Sequence, residues 1–445
     1  MAIIKGLSIV GLLLAILFAF FGFEPFSPEN GDTDWTIIPR KIAELINATI
    51  EAQISEACRL PEENQRTAYD EPDTVFNATG LISSKGYPVE NYDVQTEDGF
   101  LLGLVRIPHG KTNSKDKGQK PSVLLQHGIL ACSTNWVSNL ANESLAFILA
   151  DNGYDVWMGN IRGNTYSKKH KHLTEDQEQF WEWSIDEMAK YDLPAMVDHI
   201  LNTTGHSQIS YIGHSQGTTM AFAGLSISKE LQSKLNLFVA LAPVVYTSHM
   251  TSPLLDFAKP SMYRPLFDAL RLIGMYELLP KKEIGDFWAN TICSHDHAVV
   301  LCRSLIFLFG GFSCQHMNTT RIPVYISNSP AGTSLKNVEH WAQVVYSASI
   351  ARFDYGDDEN IKHYGQNKPP MYQMHDIDIP VALFYGAKDI LAQPKDVYKL
   401  LSQLKNVIYK KEIETYGHLD FIWAVDSVNY VYKDVLKILG GIYNG

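Results

Sequence analysis

The sequence predicts an α/β fold: a mostly parallel central sheet, helices on both of its faces and an inserted helical cap. From about residue 87 onward, short apolar runs alternate with amphipathic stretches, which is the pattern of successive strands and helices. The 445 residues, 45% of them hydrophobic, can bury a large core, which excludes disorder and fibrous repeats. The net charge of −12 excludes nucleic acid as a partner, because a nucleic-acid surface needs an excess of Lys and Arg.

Five apolar runs are predicted to be strands of this sheet, and each leads toward a turn that contains glycine. The predicted strands are residues 122–126, 155–158, 208–212, 381–385 and 407–409. The carboxyl ends of parallel strands meet at one edge of a sheet. We therefore expect the functional site to be built from residues that follow these runs.

The first 23 residues are interpreted as a signal peptide or an uncleaved signal anchor. An uncharged run at residues 6–23 follows Lys5, and acidic residues follow the run, which places the main body outside the cytosol. We expect entry into the secretory pathway, with a membrane tether through residues 6–23 if the segment is retained. Five N-x-[ST] acceptors agree with that compartment: Asn47, Asn77, Asn142, Asn202 and Asn318.

An acidic segment of unknown role, residues 24–78, separates this leader from the body. Apolar residues recur at helical spacing between Ile42 and Ala57, so a pro-segment and an accessory helix are both open interpretations. Residues 79–245 and 371–445 are predicted to form the core. Residues 246–370 are predicted to form the cap.

The motif Gly213-His214-Ser215-Gln216-Gly217 follows the predicted strand 208–212 and precedes a helix start rich in small residues. In a nucleophile elbow, glycines two positions before and after the serine let the strand and the helix approach each other. The serine then takes a strained backbone conformation that exposes its hydroxyl. We expect Ser215 to be a nucleophile; a tight glycine turn with a surface serine is the alternative.

A serine nucleophile needs a base that a third group orients, and on this type of fold the chain order is serine, acid, histidine. Asp389 follows the strand 381–385, and His418 comes after the strand 407–409. Both meet that order, so we expect Ser215, Asp389 and His418 to form a triad. The rival acids are Asp376, Asp378, Asp396 and Asp420.

An oxyanion hole requires two backbone N–H donors, one from the residue after the nucleophile and one from a loop after an earlier strand. Gln216 supplies the first. The loop that begins at His127 follows the strand 122–126 and is expected to supply the second through Ile129. His127 precedes the serine in the chain, so we expect it to support this loop by hydrogen bonding.

Several blocks resemble the acid lipase family of gastric lipase and lysosomal acid lipase, which has the α/β-hydrolase fold. They include LQHGIL at 125–130, GHSQGTT at 213–219 and YGHLDFIWA at 416–424, and the resemblance extends over roughly residues 80–437. It implies the triad and oxyanion donors named above. It also implies secretion or delivery to the lysosomal lumen. Residues 24–78 are longer than the family pattern, so the resemblance assigns them no role.

Ser215 and Asp389 lie 174 positions apart, which leaves room for the predicted cap, residues 246–370. Leu266, Phe267, Leu270 and Ile273 fall on one helical face there, and 301–312 is dense in large apolar residues. Apolar surface of this kind is typical of an enzyme that shields its active site and binds to aggregated lipid. The alternative is that these faces pack on the core.

A compact group of cysteines and histidines in the predicted cap has two interpretations. Cys293, His295, His297 and Cys302 could bind zinc, but in an oxidising compartment a disulfide between Cys293 and Cys302 is preferred. The family resemblance implies the same disulfide. We therefore predict no metal and no cofactor.

Together these features predict a serine carboxylester hydrolase that cleaves neutral lipid esters, triacylglycerols or sterol esters, at an emulsion or membrane surface through an acyl-enzyme. Two kinds of alternative remain. The first is another serine enzyme of the same fold, such as a small-ester esterase, an acyltransferase or a peptidase. The second is a non-catalytic lipid-binding relative.

Overall fold

The computed structural model describes residues 72–113, 118–252, 255, 258–278 and 316–444. The leader, most of the acidic segment and the middle of the predicted cap lie outside the described residues. So do several residues that carry predictions: Asn47, Cys293, His295, His297 and Cys302.

Within the described part of the chain, eight strands form one sheet in the order β1-β2-β4-β3-β5-β6-β9-β10. β1 and β2 pair antiparallel, as do β2 and β4, and the other neighbours are parallel. This confirms the predicted mostly parallel sheet. The strands are β1 Glu90–Gln95, β2 Leu101–Ile107, β3 Ser122–Gln126, β4 Asp155–Gly159, β5 Ile209–His214, β6 Leu235–Leu241, the two-residue pair β7 Glu277–Leu278 and β8 Thr333–Ser334, β9 Val381–Gly386 and β10 Val407–Ile413.

Helices separate most of these strands along the chain, as the alternating pattern predicts. The helices are α1 Ala78–Ser84, α2 Leu145–Asp151, α3 Ile185–Glu187, α4 Leu193–Thr204, α5 Gln216–Ile227, α6 Lys229–Ser233, α7 Pro260–Leu272, α8 Ile322–Asn328, α9 Leu335–Ser347, α10 Asp357–Tyr364, α11 Pro394–Gln403, α12 Asp420–Trp423 and α13 Lys433–Asn444. Met188–Asp192 joins α3 to α4 as one π-helical turn. No helix in the described ranges combines the length and apolar character needed to cross a bilayer.

The core has two layers, one on each face of the sheet. Successive strand residues point to opposite faces. In β3, Val123 and Leu125 pack into one layer and Leu124 into the other. Because both faces are covered, the central strands are apolar along their whole length rather than alternating.

The described residues of 246–370 contribute helices but no strand to the main sheet. On α7, Phe267 and Leu270 are buried in a small apolar cluster with Leu335 of α9, and Leu266 packs against that cluster. Ile273, which follows α7, is 57% exposed, and Leu272 is 88% exposed. The apolar face of α7 therefore packs mainly on α9. The boundaries of the cap, residues 246 and 370, stay a prediction.

Candidate active site

Ser215 lies between β5 and α5 with a backbone conformation that is rare for a side-chain-bearing residue. Its φ is 54° and its ψ is −122°. Such a conformation costs about 1–3 kcal/mol and persists only where the surroundings enforce it. The structure thus has the strained strand-to-helix turn that the motif predicts.

The two motif glycines are required by close backbone contacts on either side of this turn. A Cβ on Gly213 would lie 2.8 Å from the carbonyl carbon of Gly217. A Cβ on Gly217 would lie 2.5 Å from the carbonyl oxygen of Gln126 at the end of β3. Any side chain at either position would push the elbow away from the neighbouring backbone.

Ser215, His418 and Asp389 form a continuous hydrogen-bonded chain. The Oγ of Ser215 lies 2.7 Å from Nε2 of His418, and Nδ1 of His418 lies 2.8 Å from Oδ2 of Asp389. The carboxylate fixes the tautomer: His418 donates from Nδ1 and accepts a hydrogen bond from the Ser215 hydroxyl at Nε2. Oδ1 of Asp389 accepts from the amides of Leu391 and Ala392 at 2.9 and 2.8 Å, which holds the carboxylate in place.

Two rival carboxylates are engaged elsewhere. The carboxylate of Asp396 accepts from the amide and Nδ1 of His249 at 2.8 and 2.9 Å. Oδ2 of Asp420 accepts from the amide of Gly417 at 2.6 Å. Asp389, which follows β9, is the carboxylate that contacts Nδ1 of His418.

The loop after β3 approaches Ser215 closely, as is expected of an oxyanion loop. A Cβ on Gly128 would lie 2.9 Å from Cβ and 3.3 Å from Oγ of Ser215. Leu130 has a positive φ of 58°, and its carbonyl accepts from the amide of Ala331 at 2.8 Å. These contacts fix the path of the backbone on both sides of Ile129.

His127 supports this loop through both ring nitrogens. Nδ1 donates to the carbonyl of Gly128 at 2.7 Å, and Nε2 accepts from the amide of Ile161 at 3.3 Å and from the side chain of Asn164 at 3.1 Å. Burial lowers the pKa of His127 to about 4. The ring is therefore neutral near pH 7 and supports the loop, as predicted.

Gln216 is the first residue of α5. Neither its backbone N–H nor the backbone N–H of Ile129 makes a hydrogen bond to any described residue. The first amides of a helix have no partner within it, and they can stabilise a negative charge. Both amides are thus available as oxyanion donors.

The sequence did not reveal how the Gln216 side chain is held: its Oε1 accepts from Asn337 at 3.0 Å and from Trp341 at 2.6 Å, both on α9.

His214 is a further residue of the site that sequence reasoning did not single out. Its Nε2 donates to the backbone carbonyl of His418 at 2.8 Å, which ties the end of β5 to the histidine loop. Burial, and then the charge of His418, lower the pKa of His214 to about 3, so the ring is neutral. Its place inside the G-x-S-x-G motif is the only signal that could have pointed to it.

Four of the predicted glycosylation acceptors lie in the described part, and their side chains reach the surface. Asn77, Asn142 and Asn202 are exposed, and Asn318 is half-buried. Oδ1 of Asn77 also caps α1 by accepting from the amide of Gly80 at 2.9 Å.

Cys132 is buried with a free thiol, 3.0 Å from Oγ1 of Thr134. Burial raises its pKa to about 11, so it is not a competing nucleophile at neutral pH.

Comparison with known proteins agrees with this geometry. The alpha/beta hydrolase fold family matches residues 121–425, and a partial alpha/beta-hydrolase lipase region matches residues 78–140. Gastric triacylglycerol lipase of Homo sapiens is 45% identical over 371 residues, which are 83% of this chain and 92% of that protein. Lysosomal acid lipase/cholesteryl ester hydrolase of Homo sapiens is 45% identical over 376 residues, 84% of this chain and 92% of that protein.

A crystal structure of a candidate lipase from Sulfolobus solfataricus matches this chain with a TM-score of 0.50 and 14% sequence identity. The match covers 79% of this chain and 99% of that chain, and it supports the fold alone. The names of the two Homo sapiens relatives, gastric and lysosomal, agree with the predicted secretory pathway. The identity and coverage of these relatives confirm the resemblance drawn from the motifs. The chain belongs to the α/β-hydrolase fold family and, within it, to the family of the gastric and lysosomal acid lipases.

Proposed function

We propose that the protein is a serine carboxylester hydrolase that cleaves neutral lipid esters through an acyl-enzyme. The observation that carries this proposal is the hydrogen-bonded chain from Asp389 through His418 to Ser215 at the carboxyl edge of the sheet. The strained backbone of Ser215 and the free amides of Gln216 and Ile129 support it.

In the first half of the proposed reaction, Oγ of Ser215 attacks the ester carbonyl carbon while Nε2 of His418 takes the hydroxyl proton. The carbonyl oxygen becomes an oxyanion, which the amides of Gln216 and Ile129 stabilise; loss of one such donor costs about 10²–10³ in rate. When the tetrahedral intermediate collapses, the alcohol leaves with the proton from His418. The acyl group stays on Ser215.

In the second half, a water molecule attacks the acyl carbon and gives a proton to Nε2 of His418. The second tetrahedral intermediate breaks its bond to Oγ of Ser215, which recovers the proton from His418. The fatty acid leaves. Asp389 stabilises the imidazolium in both halves without taking the proton itself, so these steps need no cofactor and no metal.

Triacylglycerols and sterol esters are the proposed substrates. Two relatives of this chain carry the names gastric triacylglycerol lipase and lysosomal acid lipase/cholesteryl ester hydrolase. The predicted cap, residues 246–370, is the proposed lid over the site. Its described part exposes Leu272 and Ile273 at the end of α7, apolar surface of the kind that contacts an aggregated lipid.

The proposed setting is the secretory pathway, with release to the outside or delivery to the lysosome. The exposed residues Asn77, Asn142 and Asn202 are suitable as glycosylation sites in that setting. Half-buried Asn318, and Asn47, which lies outside the described residues, are the two other proposed glycosylation sites. The pairing of Cys293 with Cys302 and the tether at residues 6–23 are proposals from the sequence.

The test is fatty-acid release by the purified glycosylated protein from emulsified triolein and cholesteryl oleate, each at pH 5 and pH 7.5. The Ser215→Ala variant is the matched control, because it removes only the nucleophilic oxygen. We expect serine-dependent release from at least one of the two lipids. Release from short soluble esters alone would contradict the lipid substrate and favour a capped esterase, and acyl transfer faster than hydrolysis would favour a transferase.

A further inference from the structure

A polar cavity lies outside the triad, between the turn that follows α3 and the segment that leads into α10. It has a volume of about 230 Å³. None of the triad or oxyanion residues lines it. The lining residues that matter for its chemistry are Asp186, Glu187, Lys190, Tyr191, Arg352 and Tyr355.

The two carboxylates of this cavity accept hydrogen bonds from groups of the protein. Asp186 accepts from the hydroxyl of Tyr372 at 2.6 Å and from the amide of Phe353 at 2.9 Å. Glu187 accepts from the amide and the hydroxyl of Ser184 at 2.7 and 3.2 Å, in a capping box at the start of α3. Both oxygens of Asp186 and Oε2 of Glu187 are therefore engaged within the fold.

The two cations of the cavity, in contrast, make no ion pair with any described carboxylate. Nζ of Lys190 lies 2.8 Å from the hydroxyl oxygen of Tyr191, and the guanidinium of Arg352 lies 5.9 Å from the ring centroid of Tyr364. The hydrogen bond to Tyr191 and the charge of Glu97 raise the pKa of Lys190, whereas burial and the charge of Arg352 oppose that rise, so the positive charges of Lys190 and Arg352 repel each other. An anion between them would relieve this repulsion.

Two tyrosine hydroxyls also line the cavity. The hydroxyl oxygen of Tyr191 accepts from Lys190, and that of Tyr355 accepts from Lys336 at 3.3 Å. A tyrosine hydroxyl that accepts one hydrogen bond can still donate its own proton. A half-buried guanidinium, an ammonium and two hydroxyls form a set of donors that matches the oxygens of a phosphate group.

We propose that this cavity binds a compact phosphate-bearing ligand, held by Arg352 and Lys190 with hydroxyl groups from Tyr191 and Tyr355. One water molecule occupies about 30 Å³ in the liquid, so a cavity several times larger accepts a phosphate with a few attached atoms. The phosphate could come from a soluble ion or ester, or from the headgroup of an anionic phospholipid. This site lies beyond the proposed hydrolase activity and does not depend on it.

The experiment measures binding in the full chain that carries Ser215→Ala, so that no lipid is consumed. One arm titrates sodium phosphate at constant ionic strength by calorimetry. The other follows co-sedimentation with vesicles of phosphatidylcholine, with and without phosphatidic acid. Arg352→Gln and Lys190→Gln test the site. Lys405→Gln is the control, since it removes one positive charge at an exposed ion pair with Asp378.

We expect saturable binding in at least one arm, weakened about tenfold to a hundredfold in both site variants and unchanged in the control. Arg352→Lys keeps the charge and is expected to bind with intermediate strength, while its thermal unfolding checks that the fold is intact. Loss confined to the phosphate arm identifies a soluble ligand, and loss confined to the vesicle arm identifies a lipid headgroup. Absence of saturable binding in both arms, or equal binding by Arg352→Gln and the control, would overturn the proposal. Either failure leaves the hydrolase proposal untouched.

Discussion

Nε2 of His418 lies 2.7 Å from Oγ of Ser215, although 203 positions separate the two residues in the chain. The contact depends on two loops at the same edge of the sheet, one after β5 and one after β10. His214 reinforces it, because its ring binds the backbone carbonyl of His418. Because His214 directly precedes Ser215 in the chain, it links Ser215 to the loop that carries His418.

Replacement of Asp389 by Asn is expected to lower kcat for ester hydrolysis by about 10⁴-fold, because the amide favours the wrong tautomer of His418. Asp420→Asn is the matched control: its remaining carbonyl oxygen can still accept from the amide of Gly417. We expect the control to lose less than about tenfold. Steady-state kinetics of both purified variants checks this, and equal losses would contradict the assignment of Asp389.

Replacement of Gly128 by Ala is expected to reduce kcat, because the new Cβ would lie 2.9 Å from Cβ of Ser215. A displacement of about 1 Å at a reacting group can cost about 10²-fold in rate. Gly441→Ala, on α13, has no heavy atom within 4 Å of the added Cβ. That control should keep full activity and gain up to about 1 kcal/mol in stability. Full activity of Gly128→Ala would argue against an oxyanion loop at this position.

His127 and His214 make the stability of the fold depend on pH. Burial lowers their pKa values to about 4 and about 3, whereas an unfolded histidine has a pKa of about 6.5. Between these values the unfolded chain binds protons that the folded chain does not. The free energy of unfolding therefore falls as the pH drops below about 6.5, by at most about 1.4 kcal/mol per pH unit for each histidine.

Thermal unfolding of wild type and of His127→Gln between pH 4 and pH 8 checks this dependence. Glutamine binds no proton, so Tm of His127→Gln should fall less steeply toward acid pH than Tm of wild type. His375→Gln removes an exposed histidine and should keep the wild-type slope. Identical slopes for the two variants would contradict the role assigned to buried, neutral His127.

Arg162 forms an ion pair inside the core with Asp192, and their side chains are 1% and 0% exposed. Nε of Arg162 lies 2.7 Å from the Asp192 carboxylate. Arg162→Met leaves a buried carboxylate without its partner, so we expect a loss of about 3–5 kcal/mol in the free energy of unfolding. Lys405→Met, at an exposed pair, should leave the free energy of unfolding almost unchanged in the same denaturant titration. Comparable losses would contradict the importance of burial.

Much of the site could be predicted from the sequence because its residues follow strands in fixed order. Ser215 and Asp389 come directly after apolar runs, and the structure places both runs in the sheet as β5 and β9. The elbow glycines carry a local signal of their own, since their spacing reflects backbone contacts.

Contacts between distant segments had no such signal. Nothing near Gln216 in the sequence indicates that Asn337 and Trp341, more than a hundred positions away, hold its side chain. The antiparallel pair β1 and β2 was not identified as strands, and neither was β6. Pairing direction depends on the connections between strands, which composition alone does not specify.

Labelling of the full chain with a serine-directed phosphonate, followed by mass spectrometry of the digested protein, tests the central claim most directly. We predict one adduct on the peptide that contains Ser215, loss of fatty-acid release in proportion to labelling, and much slower labelling of His418→Ala. Fatty-acid release that continues after complete labelling, or hydrolysis by a protein whose Ser215 stays unlabelled, would contradict the claim that Ser215 is the nucleophile activated by His418.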